Sequence, residues 1–368
     1  MNSNKHKSEN TSSPSSLKVQ GGIEQPSSLN PHAVKRYRGM RSALLDVDEY
    51  LNGIRNKDIT ILSKAITLVE SSLPAHQTIA RELIQACLPF AGNSIRIGIT
   101  GVPGAGKSTF IEAFGLHLLD KGRRLAVLAI DPSSSRSKGS ILGDKTRMEE
   151  LSSRTDAYIR PSPSAGSLGG VARKTRETII LCEAAGYDTV FVETVGVGQS
   201  ETAVHSMVDF FLLLMISGAG DELQGIKRGI MEMADAIAVN KADGDNKTKA
   251  EFAQRQIKNA LHLFPPTESG WIPEVKTCSA LTHDGIAEVW EMTERYFNFV
   301  KQKSYFSHKR QQQTWQIMLE FIDARLHERF YNKTAIKQAL TNYKAKLQNG
   351  QISPYQAGTE LLEIFDKL

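Results

Sequence analysis

Apolar residues recur at two different spacings along the chain, and the spacing divides it into zones. From residue 31 to 92 they lie three or four positions apart, which predicts helices, as at Ile59, Leu62, Ile66 and Val69. From residue 93 to 300, short continuous apolar runs alternate with helical segments. Such runs predict an α/β fold with a mostly parallel central sheet and helices on both faces. The predicted strands are Ile95–Thr100, Leu125–Asp131, Thr189–Glu193, Phe210–Ser217, Ala236–Asn240 and Glu274–Ser279.

The two ends of the chain differ from this central pattern. Residues 1–30 are rich in Ser, Asn, Pro and Lys and have few large apolar side chains, which predicts a disordered tail. The absence of arginine before Arg36 and of an apolar segment argues against a mitochondrial transit peptide and a secretory signal. Residues 301–368 are again helical in pattern, basic and amphipathic. Their apolar face packs either on the core or on another subunit, and we favour a dimerisation arm with Trp315, Met318, Leu319 and Ile322 at the contact.

Composition and charge exclude several classes of protein. The net charge of +5 comes from 45 basic and 40 acidic residues and is too small and dispersed to predict a nucleic-acid partner. No apolar run approaches the roughly 18 residues that span a membrane. The cysteines are scattered at Cys87, Cys182 and Cys278, which predicts neither disulfides nor a metal cluster and favours a reducing compartment such as the cytoplasm.

A glycine-rich segment directly follows the first predicted strand and precedes a helix that begins near Lys107. It reads GVPGAGKS, the spacing G-x-x-x-x-G-K-[ST] of a phosphate-binding loop (P-loop), in the required strand–loop–helix setting. Its backbone N–H groups would turn toward phosphate oxygens, while the lysine neutralises the β- and γ-phosphates and the serine hydroxyl binds Mg²⁺. We therefore predict a nucleotide-binding loop of Gly101, Val102, Pro103, Gly104, Ala105, Gly106, Lys107, Ser108 and Thr109.

A second segment, N-K-x-D at Asn240, Lys241 and Asp243, is typical of proteins that select guanine. An Asp carboxylate accepts hydrogen bonds from the N1–H and N2–H groups of guanine, whereas adenine would leave that carboxylate buried and unpaired. The amide would bond the base edge and tie the loop to the P-loop, and the lysine stem would cover the ring. After the last strand, Ser279, Ala280 and Leu281 have the form of the final guanine loop, and the backbone N–H of Ala280 is expected to meet guanine O6. The alternative is a strand-to-helix turn with an Asp cap.

Carboxylates at the ends of predicted strands are candidates for a magnesium site. Glu193 ends one strand and Asp131 another, and Asp144 lies in the polar loop that follows Asp131. The alternative for a carboxylate at a strand end is a helix cap. We predict Mg²⁺ ligands at Ser108, Asp131, Asp144 and Glu193, and catalytic roles for Lys107, Asp131 and Glu193.

Two further loops are candidate switches that sense the γ-phosphate or a partner. Gly196 lies three residues after Glu193, but Val197 stands where Ras-type hydrolases have a water-orienting glutamine, and the nearby Gln199 is not equivalent. We therefore predict slow intrinsic hydrolysis that a partner accelerates. The second loop contains Asp221, Glu222 and Lys227 among glycines; the alternative is a glycine-rich linker.

Together these segments resemble the MeaB/MMAA (ArgK-like) family, within the SIMIBI class of P-loop GTPases. The resemblance runs from about residue 40 to the C-terminus and rests on GITGVPGAGKST, DPSSS, GSILGDKTRM, RPSPSAGSLGGVA, LCEAAGYD, VETVGVGQSE, GAGDELQGIK and NKADGDN. It implies a homodimeric GTPase chaperone that gates adenosylcobalamin transfer from an adenosyltransferase into methylmalonyl-CoA mutase and protects the mutase. It also implies that the loop from Asp221 to Lys227 reports nucleotide state. One departure is Lys138, where a glycine is expected in the first switch loop.

Two other functions fit a P-loop and remain as alternatives. A small-molecule kinase would need a pocket for the phosphoryl acceptor, such as arginine or ornithine, and no segment predicts one. A nickel-delivery GTPase would need Cys or His ligands, and no such cluster is present. The client could also be a related acyl-CoA mutase. The sequence has no D-x-H-x-x-G segment, so no cobalamin site of its own is predicted.

Overall fold

A computed structural model describes residues 44–131, 148–163, 168–194, 200–218 and 228–368. Within the compact unit of residues 46–368, seven parallel strands form one sheet in the order β3-β2-β4-β1-β5-β6-β7. This confirms the α/β prediction. The strands are β1 Ile95–Gly101, β2 Leu125–Asp131, β3 Ala157–Pro163, β4 Thr189–Thr194, β5 Phe210–Ile216, β6 Ala236–Asn240 and β7 Glu274–Thr277.

Strand β1 lies in the middle of the sheet, between β4 and β5. Ile99 of β1 pairs with Glu193 of β4, and Gly101 pairs with Leu214 of β5. Because all strands are parallel, their carboxyl ends share one edge of the sheet, where ligands of open α/β folds bind. The P-loop, both strand-end carboxylates and the N-K-x-D segment therefore emerge at the same edge.

The edge strand β3 was missed by the sequence pattern. Its seven residues include Pro161 and Pro163, which cannot donate to a ladder and are confined to edge strands or bulges. A continuous apolar run predicts a strand whose two faces are both buried. The sequence of β3 has no such run, and the strand lies at the end of the sheet, where it pairs only with β2. The six predicted strands are all present; two have the predicted bounds, and four differ by one or two residues at their carboxyl ends.

Helices cover the sheet and extend it at both ends of the chain. In α1 the Asp46 and Glu49 side chains form a reciprocal capping box, and in α2 Asp58 accepts from two backbone N–H groups, which explains where both helices begin. The helices are α1 Val47–Arg55, α2 Ile59–Glu70, α3 Pro74–Cys87, α4 Lys107–Asp120, α5 Glu149–Ser153, α6 Leu168–Ala184, α7 Ser200–His205, α8 Arg228–Met233, α9 Lys247–Leu261, α10 Ile286–Gln302, α11 Tyr305–Asn332, α12 Thr334–Gln348 and α13 Pro354–Asp366.

The core lies between the sheet and helices α4 and α10. Phe114 of α4 stacks on Phe191 of β4 with ring centroids 5.3 Å apart, and Trp290 of α10 packs on Phe114 at 6.2 Å. All three side chains are fully buried. Removing a buried aromatic ring of this size costs about 3–5 kcal/mol, so α4 is held rigidly under the P-loop.

Helix α11 is anchored at one end and exposed along the rest. Near its start, Arg310 makes a bidentate ion pair with buried Asp209 at the amino end of β5, with Nε and Nη2 donating at 2.8 and 2.7 Å. Farther along, its apolar side chains face solvent: Trp315 is 62% exposed and Leu326 51%. None of its 28 residues is buried. Among the described helices, none combines the length and the apolar character needed to cross a bilayer.

Candidate functional site

The P-loop connects the carboxyl end of β1 to the first turn of α4. Gly101 is the last residue of β1, and Gly104 and Gly106 both have φ of +80°, a conformation that side chains rarely adopt. A Cβ atom at Gly106 would also lie 3.1 Å from the Asn240 amide nitrogen. Glycine is therefore required at 106 both by the backbone and by the neighbouring loop.

The first turn of α4 keeps its backbone donors available. Gly106 precedes the helix, and among the described residues no side chain caps its N-terminus. The unpaired N–H groups and the positive end of the helix dipole suit an anion. Ser108 and Thr109 lie in this turn, with Ser108 half-buried and Thr109 exposed. This geometry fits the predicted phosphate-binding role of residues 101–109.

The Lys107 side chain folds back over its own loop. Its Nζ donates to the backbone oxygens of Gly101 at 2.9 Å and Val102 at 3.4 Å. Burial lowers the pKa of Lys107, while the carboxylates of Glu193 and Glu201 act in the opposite direction. The lysine is thus a positive charge held by neutral carbonyl groups, with two carboxylates nearby.

Glu193 is the last but one residue of β4, and Asp131 ends the adjacent strand β2 at the same edge of the sheet. In the register, Glu193 lies beside Ile99 of β1 on one side and Ala129 of β2 on the other. Glu193 is only 8% exposed. Next to it, the buried Thr194 hydroxyl donates to the Thr100 hydroxyl at 2.8 Å and ties the end of β4 to β1. Glu193 therefore lies on the strand beside the P-loop strand, and Asp131 ends the next strand outward. Their role as metal ligands stays a prediction.

The Asn240 side chain joins three loops. Its Nδ2 donates to the Ala105 oxygen of the P-loop at 2.8 Å, and its Oδ1 accepts from the Ala280 N–H at 3.1 Å. Asn240 is 1% exposed. The predicted link from the N-K-x-D segment to the P-loop is present, and the same side chain also holds the segment after β7.

Asp243 is positioned by the loop after β7. The Ser279 hydroxyl donates to Asp243 Oδ1 at 2.7 Å, and the Ala242 N–H donates to the Cys278 oxygen at 3.0 Å. Leu281, at the end of this loop, is 77% exposed. Lys241 is exposed, with φ of +61°. The arrangement presents one carboxylate on a rigid turn beside the phosphate loop.

Several predicted site residues lie outside the described parts of the chain. They are Asp144 of the proposed metal site, Gly196 and Gln199 after β4, and Asp221, Glu222 and Lys227 after β5. For Asp131 the structure describes the backbone position but not the side chain. The roles of these residues stay predictions.

The sequence patterns missed Glu201. It lies in the first turn of α7, is 2% exposed, and its charge acts on Lys107. Glu201 lies inside a helix, whereas the predicted carboxylate ligands at Glu193 and Asp131 lie at strand ends. Its neighbours on both sides are polar, so the turn has no distinctive pattern, and the available signal was the place of Glu201 at the end of the string VETVGVGQSE.

A second group that was missed braces the N-K-x-D loop. Asn246 donates from Nδ2 to the Lys241 oxygen at 2.6 Å and accepts from the Ser217 hydroxyl at 2.6 Å. Ser217 lies immediately after β5, at the start of the loop that contains Asp221. The guanine-type loop and the candidate switch are thus joined at their bases.

Comparison with known proteins agrees with this geometry. A family model described as methylmalonyl Co-A mutase-associated GTPase MeaB matches residues 62–335. A probable GTPase of Mycobacterium tuberculosis is 47% identical over 322 residues, covering 86% of this chain and 95% of the relative. GTPase ArgK of Escherichia coli is 44% identical over 319 residues, covering 86% and 95%.

Two further proteins, one from mouse and one with a solved structure, are also similar to this chain. The mitochondrial methylmalonic aciduria type A homolog of Mus musculus is 44% identical over 329 residues, covering 87% of this chain and 79% of the relative. The crystal structure of a LAO/AO transport system kinase has a TM-score of 0.72 and 37% identity, covering 88% of this chain and all of that one. With the P-loop and N-K-x-D geometry in place, this chain belongs to the MeaB family of methylmalonyl Co-A mutase-associated GTPases and is a P-loop GTPase.

Proposed function

We propose that the chain binds Mg·GTP at the carboxyl edge of its sheet and uses hydrolysis to control a cobalamin-dependent acyl-CoA mutase. The observation that carries the nucleotide assignment is the Asn240 side chain, which holds the P-loop and both base-reading loops in one cluster. A loop that binds phosphate and a carboxylate that selects guanine are useful together only when one nucleotide spans both. The Asn240 contacts support that arrangement.

In this proposal Asp243 recognises the base. Its Oδ1 is oriented by the Ser279 hydroxyl, and the Ala280 N–H lies in the same loop. The carboxylate would accept from N1–H and N2–H of guanine. The Ala280 N–H, which the sequence assigns to O6, donates to Asn240 Oδ1 at 3.1 Å, so O6 would have to share that donor. Adenine offers the reverse pattern and would leave buried groups unpaired, which costs on the order of several kcal/mol.

The residues at the strand ends fit a magnesium ion. Glu193 is buried beside the P-loop strand, and the neighbouring strand ends at Asp131. Within the described ranges, no three His, Cys, Asp or Glu side chains form a group that could hold a metal. The proposed ligands are the Ser108 hydroxyl, the Glu193 and Asp131 carboxylates and Asp144, together with phosphate oxygens and water. A bound Mg²⁺ would neutralise charge that develops on the phosphate oxygens during transfer to water.

Hydrolysis by the isolated chain is proposed to be slow. Lys107 supplies positive charge at the β- and γ-phosphates, and the amides of residues 101–109 hold them, but Val197 occupies the position of the water-orienting glutamine. A partner that contacts Gly196 and Gln199, or the loop of Asp221, Glu222 and Lys227, would then accelerate turnover.

The proposed partner is methylmalonyl-CoA mutase or a related mutase. The family description and the name of the mouse relative support this client. In this role the GTP cycle would gate the loading of adenosylcobalamin, delivered by an adenosyltransferase, and protect the mutase. The chain would act on cofactor that is held by others.

The arm is proposed to join two copies into a homodimer. The apolar side chains of α11 face solvent over several turns, and Trp315, Met318 and Ile322 are each more than 40% exposed. A stripe of this kind is buried in stable assemblies, because exposed apolar patches are otherwise kept small.

The base-recognition proposal is tested by the substitution Asp243→Asn. An amide at this position donates where the carboxylate accepts, so it matches the O2 carbonyl of xanthine and mismatches the N2 amino group of guanine. We expect GTP affinity to fall about 100-fold and xanthosine triphosphate affinity to rise by a similar factor, as titration calorimetry with Mg²⁺ would show. The neighbouring exposed Asp245→Asn is the matched control and should leave both affinities unchanged. Equal binding of ATP and GTP by the wild-type chain would refute the assignment.

Two further measurements separate the competing functions. Phosphate release from GTP without any added acceptor is the expected activity, whereas transfer of label to arginine or ornithine would favour the kinase that the solved relative is named for. Capture of the mutase from the source cell with a non-hydrolysable GTP analogue, compared with GDP, would identify the client.

A further inference from the structure

Helix α7 lies between the nucleotide site and the arm. It follows β4, which ends beside the P-loop strand, and it precedes β5. The helix packs directly on β1: a Cβ at Gly98 would lie 2.9 Å from Val204 Cγ1 of α7 and 2.9 Å from a Val208 methyl group. Because interiors this tightly packed deform little, a shift of α7 against β1 must displace its neighbours.

The first turn of α7 carries a buried carboxylate whose charge acts on Lys107 of the phosphate loop. Glu201 in this turn is 2% exposed, and its carboxylate is close enough to Lys107 for their charges to interact. A nucleoside triphosphate bound at the proposed site would bring negative charge to the same lysine. The electrostatic environment of Glu201 therefore differs between a site with a γ-phosphate and a site without one.

The far end of α7 is connected to the arm through Arg176 of α6. Its Nη2 donates to the Ser206 hydroxyl at 2.8 Å, and its Nη1 donates to Glu320 of α11 at 2.7 Å. The Arg176 side chain is 10% exposed, and that of Glu320 is 42% exposed. The Ser206 hydroxyl in turn donates to the Ala203 oxygen at 2.8 Å, inside α7. One guanidinium thus bridges the end of α7 and the middle of the arm helix.

The connector that follows Ser206 is held by the same arm helix. Gln313 donates to the Val208 oxygen at 2.9 Å, and Lys309 donates to the Asp209 oxygen at 2.9 Å. Near its own start, α11 contacts this short segment directly, and the Arg310–Asp209 pair adds to these contacts. Farther along α11, Glu320 is linked to Ser206 through Arg176. The arm is therefore attached to the one connection that runs from α7 to β5.

From these contacts we propose that Arg176 is a positioning residue that makes the orientation of α11 depend on the nucleotide. The inference rests on the proposed GTP site and deepens it. Glu201 senses the phosphate end, α7 moves as a unit against β1, and Arg176 transfers that displacement to Glu320. The exposed apolar face of α11 then changes its orientation relative to the sheet.

The experiment uses the full chain and amide hydrogen exchange of residues 305–322. Exchange is measured with Mg·GDP and with a Mg-bound non-hydrolysable GTP analogue, while calorimetry records the affinity for each nucleotide. We expect exchange rates in α11 to differ about two- to fivefold between the two states, the range of one partly exposed ion pair. In Glu320→Gln and in Ser206→Ala, the ratio should fall to about 1.

Three controls make the outcome decisive. Glu328→Gln removes a charge from the same helix, where Glu328 pairs only with Arg325 in the described structure, and should keep the wild-type ratio. The double variant Glu320→Gln/Ser206→Ala should match either single variant, because both act through one guanidinium. The third control is the affinity ratio. By thermodynamic reciprocity, the ratio of GDP affinity to analogue affinity in Glu320→Gln and Ser206→Ala should differ from the wild-type ratio by no more than the same two- to fivefold.

Two results would overturn the inference without affecting the proposed function. One is identical α11 exchange in the two nucleotide states of the wild-type chain while both nucleotides bind. The other is a wild-type ratio that persists in Glu320→Gln and Ser206→Ala. Failure of the wild-type chain to bind either nucleotide would instead refute the proposed function, and this inference with it.

Discussion

Charged side chains have different partners at the two edges of the central sheet. At the amino edge, Asp209 accepts two bonds from Arg310 and one from the Arg96 N–H. Beside it, Glu183 accepts from the Arg96 guanidinium at 2.9 and 3.0 Å and from Ser94 at 2.5 Å. At the carboxyl edge, Lys107 donates to backbone oxygens, and the carboxylates act on it through space.

This difference separates charges that hold the fold from charges that serve a ligand. Bidentate, buried pairs are saturated by each other, and removing one member leaves an uncompensated charge in the interior. A lysine held by neutral carbonyls keeps its charge for an incoming anion. Substitutions at the two edges should therefore give opposite signatures, one in stability and the other in activity.

The largest effect is expected at the amino edge for Asp209→Asn. Asp209 is 2% exposed, and the substitution leaves Arg310 without its counter-charge. We expect the free energy of unfolding to fall by about 3–5 kcal/mol in urea titrations. The exposed-pair variant Glu328→Gln should change it by less than about 1 kcal/mol. A drop below 1 kcal/mol for Asp209→Asn would contradict the role given to this pair.

The next effect is expected at the carboxyl edge for Lys107→Met. Loss of the charge should reduce GTP hydrolysis about 100- to 1000-fold, because positive charge aimed at the phosphates is lost. Burial already disfavours the charged lysine, so the free energy of unfolding should change by no more than about 1 kcal/mol. Lys121→Met, at the exposed far end of the same helix, should retain full hydrolysis. Hydrolysis within tenfold of wild type would argue against a catalytic Lys107.

The smallest effect is expected for the pH dependence of stability at His205, which lies on helix α7 between the two edges. Burial, with a smaller contribution from Lys309, lowers the pKa of His205 to about 4 from its usual 6.5. Below pH 6.5 the unfolded chain therefore binds a proton at this histidine, whereas the folded chain does not bind it until the pH approaches 4. His205 thus removes about 1 kcal/mol of stability between pH 7 and pH 5.5. In His205→Gln this part of the acid-induced loss should disappear from unfolding curves; an unchanged pH profile would contradict it.

The placement of the P-loop and the N-K-x-D segment at one edge of the sheet could be predicted from the sequence because each motif is local. Residues 101–109 are contiguous, and their glycines, lysine and serine have fixed spacing. The residues from Asn240 to Asp243 are similarly contiguous, and buried parallel strands bring both segments to one edge. That edge follows from topology alone, so no long-range contact had to be known.

The amino edge and the arm contacts could not be predicted in this way. Arg310 and Asp209 are 101 positions apart, and Arg176 and Glu320 are 144 apart. Each side chain looks like an ordinary surface charge in its own helix or turn, and only the folded chain pairs them. Glu201 was missed for a related reason, because burial of a single helical carboxylate has no periodicity.

The Asn240 bridge also has a kinetic consequence. Because both of its bonds join protein groups directly, the P-loop and the loop after β7 brace each other without help from a nucleotide, and the proposed base site shares that support. Binding there needs little ordering of the chain, so encounter is not slowed by closure of these loops. Adenine and guanine nucleotides should then arrive at similar rates. The selection between them should lie in residence time, with the wrong base leaving sooner.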